Sequence, residues 1–141
     1  MAQQKSAVMT WKGEGLHFRG KLGSGYEFDV SGQASTENGG SAMEFLLAGV
    51  AGCTAMDIVH TLRKMRQNFS GVQVEIIGDR AEEHPMVYTN VELVYVVTGQ
   101  GVDPSAVERA ISLSQETYCS ASVMFKRSGA VVKTSYRIKE A

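Results

Sequence analysis

The chain has 141 residues, with 14 Lys and Arg against 15 Asp and Glu and a formal net charge of −1. This length predicts one domain over residues 1–141 with a single core, and the balanced charge offers no basic surface for nucleic acid. The longest apolar run is shorter than the roughly 20 residues that span a bilayer, so we expect no membrane partner. Two cysteines without a secretion leader predict a reducing, cytoplasmic location.

Short segments bounded by glycines predict an antiparallel meander at the start of the chain. These segments are Met9–Trp11, His17–Lys21 and Tyr26–Val30. Residues 31–40 are rich in Gly, Ser, Thr, Asn and Gln, and this composition predicts a loop. A helix should follow from Ser41 to about Arg66, because Ser41 and Glu44 have the spacing of a capping box.

The second half of the chain alternates between strand and helix patterns. Apolar residues at every second position predict strands over 72–76, 91–97 and 132–138, with a charged connection over 81–86. A helix is expected from Pro104, which follows an N-capping Asp103, to about Tyr118, and residues 119–125 can add one or two further helical turns. The resulting order βββ-α-ββ-α-β predicts an α+β fold.

Two glycines interrupt the first predicted helix beside a cysteine. Gly49 and Gly52 each cost the helix about 1 kcal/mol relative to Ala. Small residues allow another backbone to approach closely, so a second helix or a partner subunit should pack beside Cys53. If the approaching segment carries Cys119, the two Cα atoms can come within the roughly 4.4–6.8 Å that a disulfide requires.

The helical face around Cys53 carries further candidate groups. At about 100° per residue, Met56, Asp57 and His60 project within roughly 60° of Cys53. A metal would need more ligands than this spacing supplies, so we predict neither a metal nor a cofactor. The more ordinary roles are a carboxylate bonded to a neighbouring donor for Asp57 and an amphipathic surface residue for His60.

One stretch carries a resemblance to a known family. The run SAMEFLLAGVAGCTAMDIV from Ser41 to Val59, followed much later by Tyr118-Cys119-Ser120, resembles the OsmC/Ohr family of osmotically inducible and organic hydroperoxide resistance proteins, and in detail its YhfA-like branch. The resemblance implies an OsmC-like fold in which helices pack on antiparallel sheets. It also implies an intertwined homodimer with active sites between the subunits.

The resemblance further implies a peroxidase that reduces organic hydroperoxides. Cys53 aligns with the reactive thiol of the family and Cys119 with the resolving thiol. On this interpretation Cys53 becomes a sulfenic acid that condenses with Cys119 to a disulfide. An external dithiol, which is typically a lipoyl group in the hydroperoxide branch, then reduces that disulfide.

A reactive thiol needs a nearby cation, because a free cysteine with a pKa near 8.5 is mostly protonated at neutral pH. The family supplies an Arg that is held by a Glu. Glu44 is the candidate Glu, one residue after the position that the better-characterised peroxidases use. Arg19 is the nearest candidate Arg, and Arg80 or His60 are alternatives for the positive charge.

Two other classes of function stay open at this point. The first is a ligand-binding or thiol-sensing dimer, whose apolar pocket would use Phe45, Met56, Met124 and Phe125. The second is a structural protein with inert cysteines, since free Cys is often a small buried hydrophobe. Turnover with a dithiol separates the peroxidase from the first class, and selective labelling of the reactive thiol separates it from the second.

Overall fold

The computed structural model describes residues 2–141 and confirms the α+β class. The strands are β1 (Ala7–Trp11), β2 (His17–Leu22), β3 (Glu27–Ser31), β4 (Phe69–Arg80), β5 (Tyr88–Gly99) and β6 (Val131–Glu140). The helices are α1 (Ala42–Lys64), α2 (Pro104–Leu113) and α3 (Ser120–Arg127), and a π-helical turn, Ser114–Tyr118, joins α2 to α3.

Contacts divide the described chain into two compact units, with the boundary between Leu46 and Leu47. The single domain over residues 1–141 stays a prediction. Met1, which that prediction includes, lies outside the described residues.

The first unit contains the predicted antiparallel meander, in the order β1-β2-β3. Arg19 of β2 lies opposite Thr10 of β1 and Asp29 of β3. The turn between β2 and β3 needs Gly25, whose φ of 98° is in the left-handed region that favours glycine. Its N–H donates to the Leu22 carbonyl at 2.8 Å and closes the turn.

The second unit contains a mixed sheet in the order β4-β5-β6. β4 and β5 are antiparallel, whereas β6 runs parallel to β5 over its whole length. The expectation of antiparallel sheets is therefore wrong for this pair. The physical reason is that the chain returns through α2 and α3, and a helical crossover brings it back to the same end of the sheet before β6 begins.

The core of the second unit lies between its sheet and its helices. Ile58 and Leu62 of α1, Leu93 and Val97 of β5 and Val107 of α2 are fully buried in one hydrophobic cluster. On α1 the buried positions are Val50, Thr54, Ile58 and Leu62, which recur every four residues. Only one stripe of this helix is therefore covered within the second unit.

The boundaries of two helices differ from the predicted ones. α1 ends at Lys64, two residues before the predicted end, and Arg66 has left-handed backbone with φ 55°. The helix predicted to reach Tyr118 ends at Leu113, after which the chain forms the π-helical turn. In that turn two consecutive polar residues, Ser114 and Gln115, are both buried.

α1 is long and apolar enough, by length and composition, to cross a membrane. An 18-residue window of this helix has a mean hydropathy of 1.6, and the expectation of no membrane partner stays a prediction. The core helix of a soluble protein passes the same test, so the feature assigns no membrane by itself.

Candidate active site

Cys53 lies in the interior of α1, on its partly covered side. Its side chain is half-buried, and both Val50, one turn earlier, and the adjacent Thr54 are buried. Cys53 is not part of a disulfide. The thiol is thus partly open to a small reactant.

Cys119 lies at the N-cap of α3 and is fully buried. Its extended backbone, with φ −84° and ψ 92°, turns the side chain back over the start of the helix, so that Sγ accepts the Ser122 N–H at 3.4 Å. Its S–H donates to the Val50 carbonyl oxygen of α1, with Sγ 4.0 Å from that oxygen. Cys119 is therefore packed against the turn of α1 that leads to Cys53.

Cys119 packs against Val50, three residues before Cys53, and Cys53 is a neighbouring group of its thiol. Burial raises the pKa of the Cys119 thiol, the Ser122 hydroxyl opposes that rise, and the contact with Cys53 adds to it. Both cysteines are free. The predicted approach of Cys119 to α1 is thus seen in the structure, although the reactive and resolving roles of the thiols stay predictions.

Gly49 and Gly52 do not explain this approach. A Cβ built on either glycine meets no atom within 4 Å among the described residues. The segment that carries Cys119 packs near Val50 instead, on the covered stripe of α1. The two glycines therefore face open space within one chain.

A network of buried polar side chains lies beside the two thiols. The Thr54 hydroxyl is 2.7 Å from both the Tyr95 hydroxyl and the Ser114 hydroxyl, and all three side chains are buried. Ser114 donates to Oδ2 of Asp57 at 2.8 Å. Asp57 thus has the ordinary role of a carboxylate that is bonded to a neighbouring donor.

Gln115 extends this network toward Cys119. Its Nε2 lies 3.0 Å from the Tyr95 hydroxyl and 3.2 Å from the Ser122 hydroxyl, while Oε1 is buried without a hydrogen-bond partner in the described part of the chain. Burial raises the pKa of Tyr95, which keeps its phenol protonated and able to donate. The network therefore connects Asp57 on α1 with Cys119 on α3 through side chains that can donate hydrogen bonds.

A cleft of about 410 Å³ opens beside the same face of α1. Its walls combine cationic, acidic and apolar groups, among them Asp57, His60, Lys64, Arg109, Leu113 and Tyr118. His60 lies at the surface here, which agrees with its interpretation as an amphipathic residue. In residues 2–141 no three His, Cys, Asp or Glu side chains are grouped so that they could share a metal ion.

The candidate activating residues have partners of their own. Arg19 is exposed on β2, where it pairs with Asp29 at 3.2 Å and with Glu27 at 3.6 Å. Both acids raise the Arg19 pKa, with the hydrogen bond to Asp29 contributing most. Arg80 donates to the Met86 carbonyl at 2.9 Å. Arg19 and Arg80 thus have local structural partners in the units to which they belong.

Glu44 forms the predicted capping box. Its Oε1 accepts the Ser41 N–H at 2.9 Å, and its own N–H donates to the Ser41 hydroxyl at 3.2 Å. These bonds lower the Glu44 pKa, with the Ser41 backbone contributing most. The observed role of Glu44 is therefore to begin α1, and its catalytic role stays a prediction.

The four residues predicted to line an apolar pocket have different surroundings. Phe45 packs against Phe28 in the first unit, with ring centroids 5.1 Å apart. Phe125 stacks on Tyr88 in the second unit, with centroids 5.7 Å apart. Met56 and Met124 are exposed. Each phenylalanine thus packs against another ring, and the two methionines contribute to the surface.

Sequence reasoning missed the polar network. Its members Thr54, Tyr95, Ser114, Gln115 and Ser122 come from four separate elements, and no short motif contains them. Two signals were available: a hydroxyl beside Cys53 on a buried stripe, and consecutive polar residues where an amphipathic helix was expected. Neither signal identifies the hydrogen-bond partners of these residues, because the partners come together only in the folded chain.

Comparisons with known proteins assign the chain to a family. A family model described as OsmC-like protein matches residues 32–135. Protein YhfA of Escherichia coli (strain K12) is 38% identical over 114 residues, which cover 81% of this chain and 84% of that protein. The chain therefore belongs to the OsmC-like family.

Solved structures share the fold. A hypothetical protein from Aquifex aeolicus VF5 is 31% identical, with a TM-score of 0.88 over 99% of both chains. An organic hydroperoxide resistance protein OsmC from Legionella pneumophila is 16% identical, with a TM-score of 0.72 over 96% of this chain and 98% of that chain. At 16% identity the Legionella protein shares the fold, and its activity is not transferred by that similarity.

Proposed function

We propose that this OsmC-like protein is a thiol peroxidase that reduces organic hydroperoxides through Cys53 and Cys119. The observation that carries the proposal is a half-buried free thiol on α1 with a second, fully buried free thiol packed against the preceding turn of the same helix. An organic hydroperoxide resistance protein is among the structural neighbours that share the fold. A cytoplasmic location, where cellular thiols keep both cysteines reduced, is part of the proposal.

The proposed reaction has two oxidative half-steps and one reductive step. The Cys53 thiolate attacks the distal peroxide oxygen, the O–O bond breaks, and the alcohol leaves with a proton, so that Cys53 becomes a sulfenic acid. The Cys119 sulfur then attacks the Cys53 sulfur, and the hydroxyl leaves as water with the Cys119 proton. An external dithiol, of which a lipoyl group is one candidate, reduces the disulfide.

Arg19 and Glu44 complete the proposed site as the cation and its carboxylate partner. Their support is the family resemblance, since each has local partners of its own in the first unit. His60 and Arg80 are the alternative sources of positive charge. Single substitutions of these four residues, read out as the rate of Cys53 alkylation at neutral pH, identify which of them activates the thiol.

Stoichiometric oxidation tests the proposal. One equivalent of tert-butyl hydroperoxide should remove both thiols and lower the intact mass by two hydrogens. The disulfide should lie within one chain, because Cys119 packs against the turn of α1 that precedes Cys53 of the same chain. Peptide mapping under non-reducing conditions checks this linkage. A protein that keeps two free thiols after oxidant exposure, or that forms only covalent dimers, contradicts the proposed mechanism.

The proposal includes a homodimer. Within one chain α1 leaves apolar side chains exposed, with Leu46 50% and Met56 73% accessible, and Gly49 and Gly52 face open space. An apolar helix surface of this kind is stabilised when a partner covers it. The small residues would let the partner backbone come close.

A bulky residue at Gly49 should weaken this dimer. Gly49→Leu is expected to shift the protein toward monomers in size-exclusion chromatography with light scattering. Gln73→Leu, which adds the same side chain at an exposed position of β4, should not. Because open space surrounds Gly49 within one chain, the substitution should leave the fold of each chain intact. An unmodified protein that is monomeric at micromolar concentration contradicts the dimer.

A second candidate function is a ligand-binding or thiol-sensing dimer. The 410 Å³ cleft favours it, because Lys64 and Arg109 could bind an anionic group while Leu113 packs against an apolar chain. Calorimetric titration of a medium-chain fatty acid into the Cys53→Ser/Cys119→Ser double variant tests binding without thiol chemistry. Saturable binding that is lost in Arg109→Ala, together with no peroxide turnover by the unmodified protein, would favour this function over the peroxidase.

A further inference from the structure

The buried polar network beside Cys119 has a definite donor direction. One end is the Asp57 carboxylate, which only accepts hydrogen bonds, so the Ser114 hydroxyl donates to it at 2.8 Å. Each hydroxyl has one proton. With the Ser114 proton used, Thr54 donates to Ser114 at 2.7 Å, and Tyr95 donates to Thr54 at 2.7 Å.

The amide of Gln115 connects Tyr95 with Ser122, which lies beside Cys119. Its Nε2 donates one proton to Tyr95 at 3.0 Å, with the Thr54 hydroxyl farther away at 3.4 Å, and the other to Ser122 at 3.2 Å. The Ser122 oxygen is therefore an acceptor from Gln115, and its own proton is left for Cys119. The Ser122 N–H donates to Cys119 Sγ at 3.4 Å, and the Ser122 side chain beside the same sulfur lowers the pKa of the thiol.

Such donors matter because the network is sealed from water. Thr54, Tyr95, Ser114 and Ser122 are 0% exposed, and Gln115 is 6% exposed. A thiolate in this environment loses its hydration, which is why burial raises the pKa of Cys119. The Ser122 groups act in the opposite direction, and hydrogen bonds to a charged group in a buried site are stronger than in water.

We propose that Ser122 and Gln115 are positioning residues that stabilise the Cys119 thiolate as it attacks the oxidised Cys53. This inference rests on the proposed function for its physiological oxidant. In that step the Cys119 S–H bond breaks and an S–S bond to Cys53 forms. The S–O bond of the Cys53 sulfenic acid breaks, and hydroxide leaves with the released proton as water. Gln115 acts through Ser122, whose hydroxyl donates to the developing thiolate.

Few titratable groups surround Cys119 from the elements packed against it. α1 contributes Cys53 and, through Ser114, Asp57; β5 contributes the phenol of Tyr95. On α3 the Lys126 ammonium donates to the Gln115 backbone carbonyl at 2.9 Å. Since burial keeps Tyr95 protonated, the pH dependence of thiolate attack near neutral pH should follow Cys119 itself.

An aromatic disulfide, 5,5′-dithiobis(2-nitrobenzoate), tests this step without peroxide. Cys53 attacks the reagent and releases one thionitrobenzoate, after which Cys119 attacks the mixed disulfide on Cys53 and releases a second. In Ser122→Ala the second release should slow about tenfold at pH 7, the loss of one hydrogen bond to a charged group, while the first release keeps its rate. Gln115→Met should slow the same phase, and Ser120→Ala, an exposed serine beside Cys119, should not.

The pH profile separates stabilisation of the thiolate from a structural defect. Ser122 lowers the pKa of Cys119, so its removal should move the midpoint of the second release to higher pH. At pH values above that midpoint the thiolate forms without help, and Ser122→Ala should reach the rate of the unmodified protein. Second-phase rates in Ser122→Ala and Gln115→Met that equal the unmodified rate at every pH overturn the inference, as does a loss that high pH does not recover.

The outcomes for this inference and for the proposed function are distinguishable. A slowed, pH-rescued second release in a protein that consumes no hydroperoxide retains the positioning roles and removes the peroxidase. Hydroperoxide turnover with an unchanged second release retains the peroxidase and removes the positioning roles of Ser122 and Gln115.

Discussion

Cys53→Ser is expected to lower hydroperoxide consumption by at least about 100-fold, to the rate of free thiol in solution. A serine hydroxyl is protonated at neutral pH and does not form a sulfenic acid, so the first chemical step is lost. Cys119 is fully buried with a raised pKa, so it should not replace Cys53 as the nucleophile. Loss of tert-butyl hydroperoxide, followed by ferrous xylenol orange, measures the effect.

The matched control for this variant is Ala55→Ser. It places a hydroxyl on the same helix, at another partly buried position, and leaves both thiols in place. It should keep most of the activity, and its melting temperature shows whether a polar group on this part of α1 disturbs the fold. If Cys53→Ser consumes hydroperoxide as fast as Ala55→Ser does, Cys53 is not the reactive thiol.

Cys119→Ser is expected to stop the reaction after its first half-step. Without the buried second thiol no disulfide can form within the chain, so the Cys53 sulfenic acid should persist and react with dimedone. Turnover with a dithiol should fall by about tenfold or more, because each sulfenic acid must wait for an external thiol. Mass spectrometry should find the dimedone adduct on Cys53, and excess peroxide should convert the rest to sulfinic acid.

The first half-step should be unaffected in this variant. The initial loss of one peroxide equivalent should proceed at the unmodified rate, since Cys119 takes part only in disulfide formation. Ser120→Ala is the control at the neighbouring position of α3. Unchanged dithiol turnover with no dimedone adduct in Cys119→Ser would show that Cys119 is an inert buried cysteine.

Local sequence signals predicted several elements well. The capping box of Ser41 and Glu44 forms as expected and begins α1, because its hydrogen bonds involve residues only three positions apart. Asp103 and Pro104 begin α2 in the same way. Period-two patterns located the central strands, although β4 and β5 extend beyond them.

Nonlocal features could not be read from the same signals. The parallel pairing of β6 with β5 depends on how far α2 and α3 carry the chain before the last strand begins. The π-helical turn places Ser114 and Gln115 beside the Thr54 hydroxyl, and Thr54 lies 60 and 61 residues earlier in the chain. These contacts exist only once the elements have packed.

In the candidate site, too, local features could be predicted from the sequence and contacts between distant residues could not. The pairing of Cys53 with Cys119 was predicted from a family resemblance and two glycines, yet Cys119 contacts α1 at Val50, and the glycines are open. The Ser41 partner of Glu44 was predicted as a capping box, whereas the Asp29 partner of Arg19 lies on the neighbouring strand β3 and could not be predicted from sequence position. Both Arg19 and Glu44 are bonded within their own unit.

The most direct test of the central claim is steady-state reduction of tert-butyl hydroperoxide by the purified protein with dihydrolipoamide as the reductant. A thiol peroxidase should consume many equivalents of hydroperoxide per chain and should oxidise one equivalent of dithiol for each. H2O2 in a parallel assay shows whether the activity extends to an oxidant without an alkyl group. Consumption that stops at about one equivalent per thiol pair contradicts the peroxidase and favours a sensing or ligand-binding dimer.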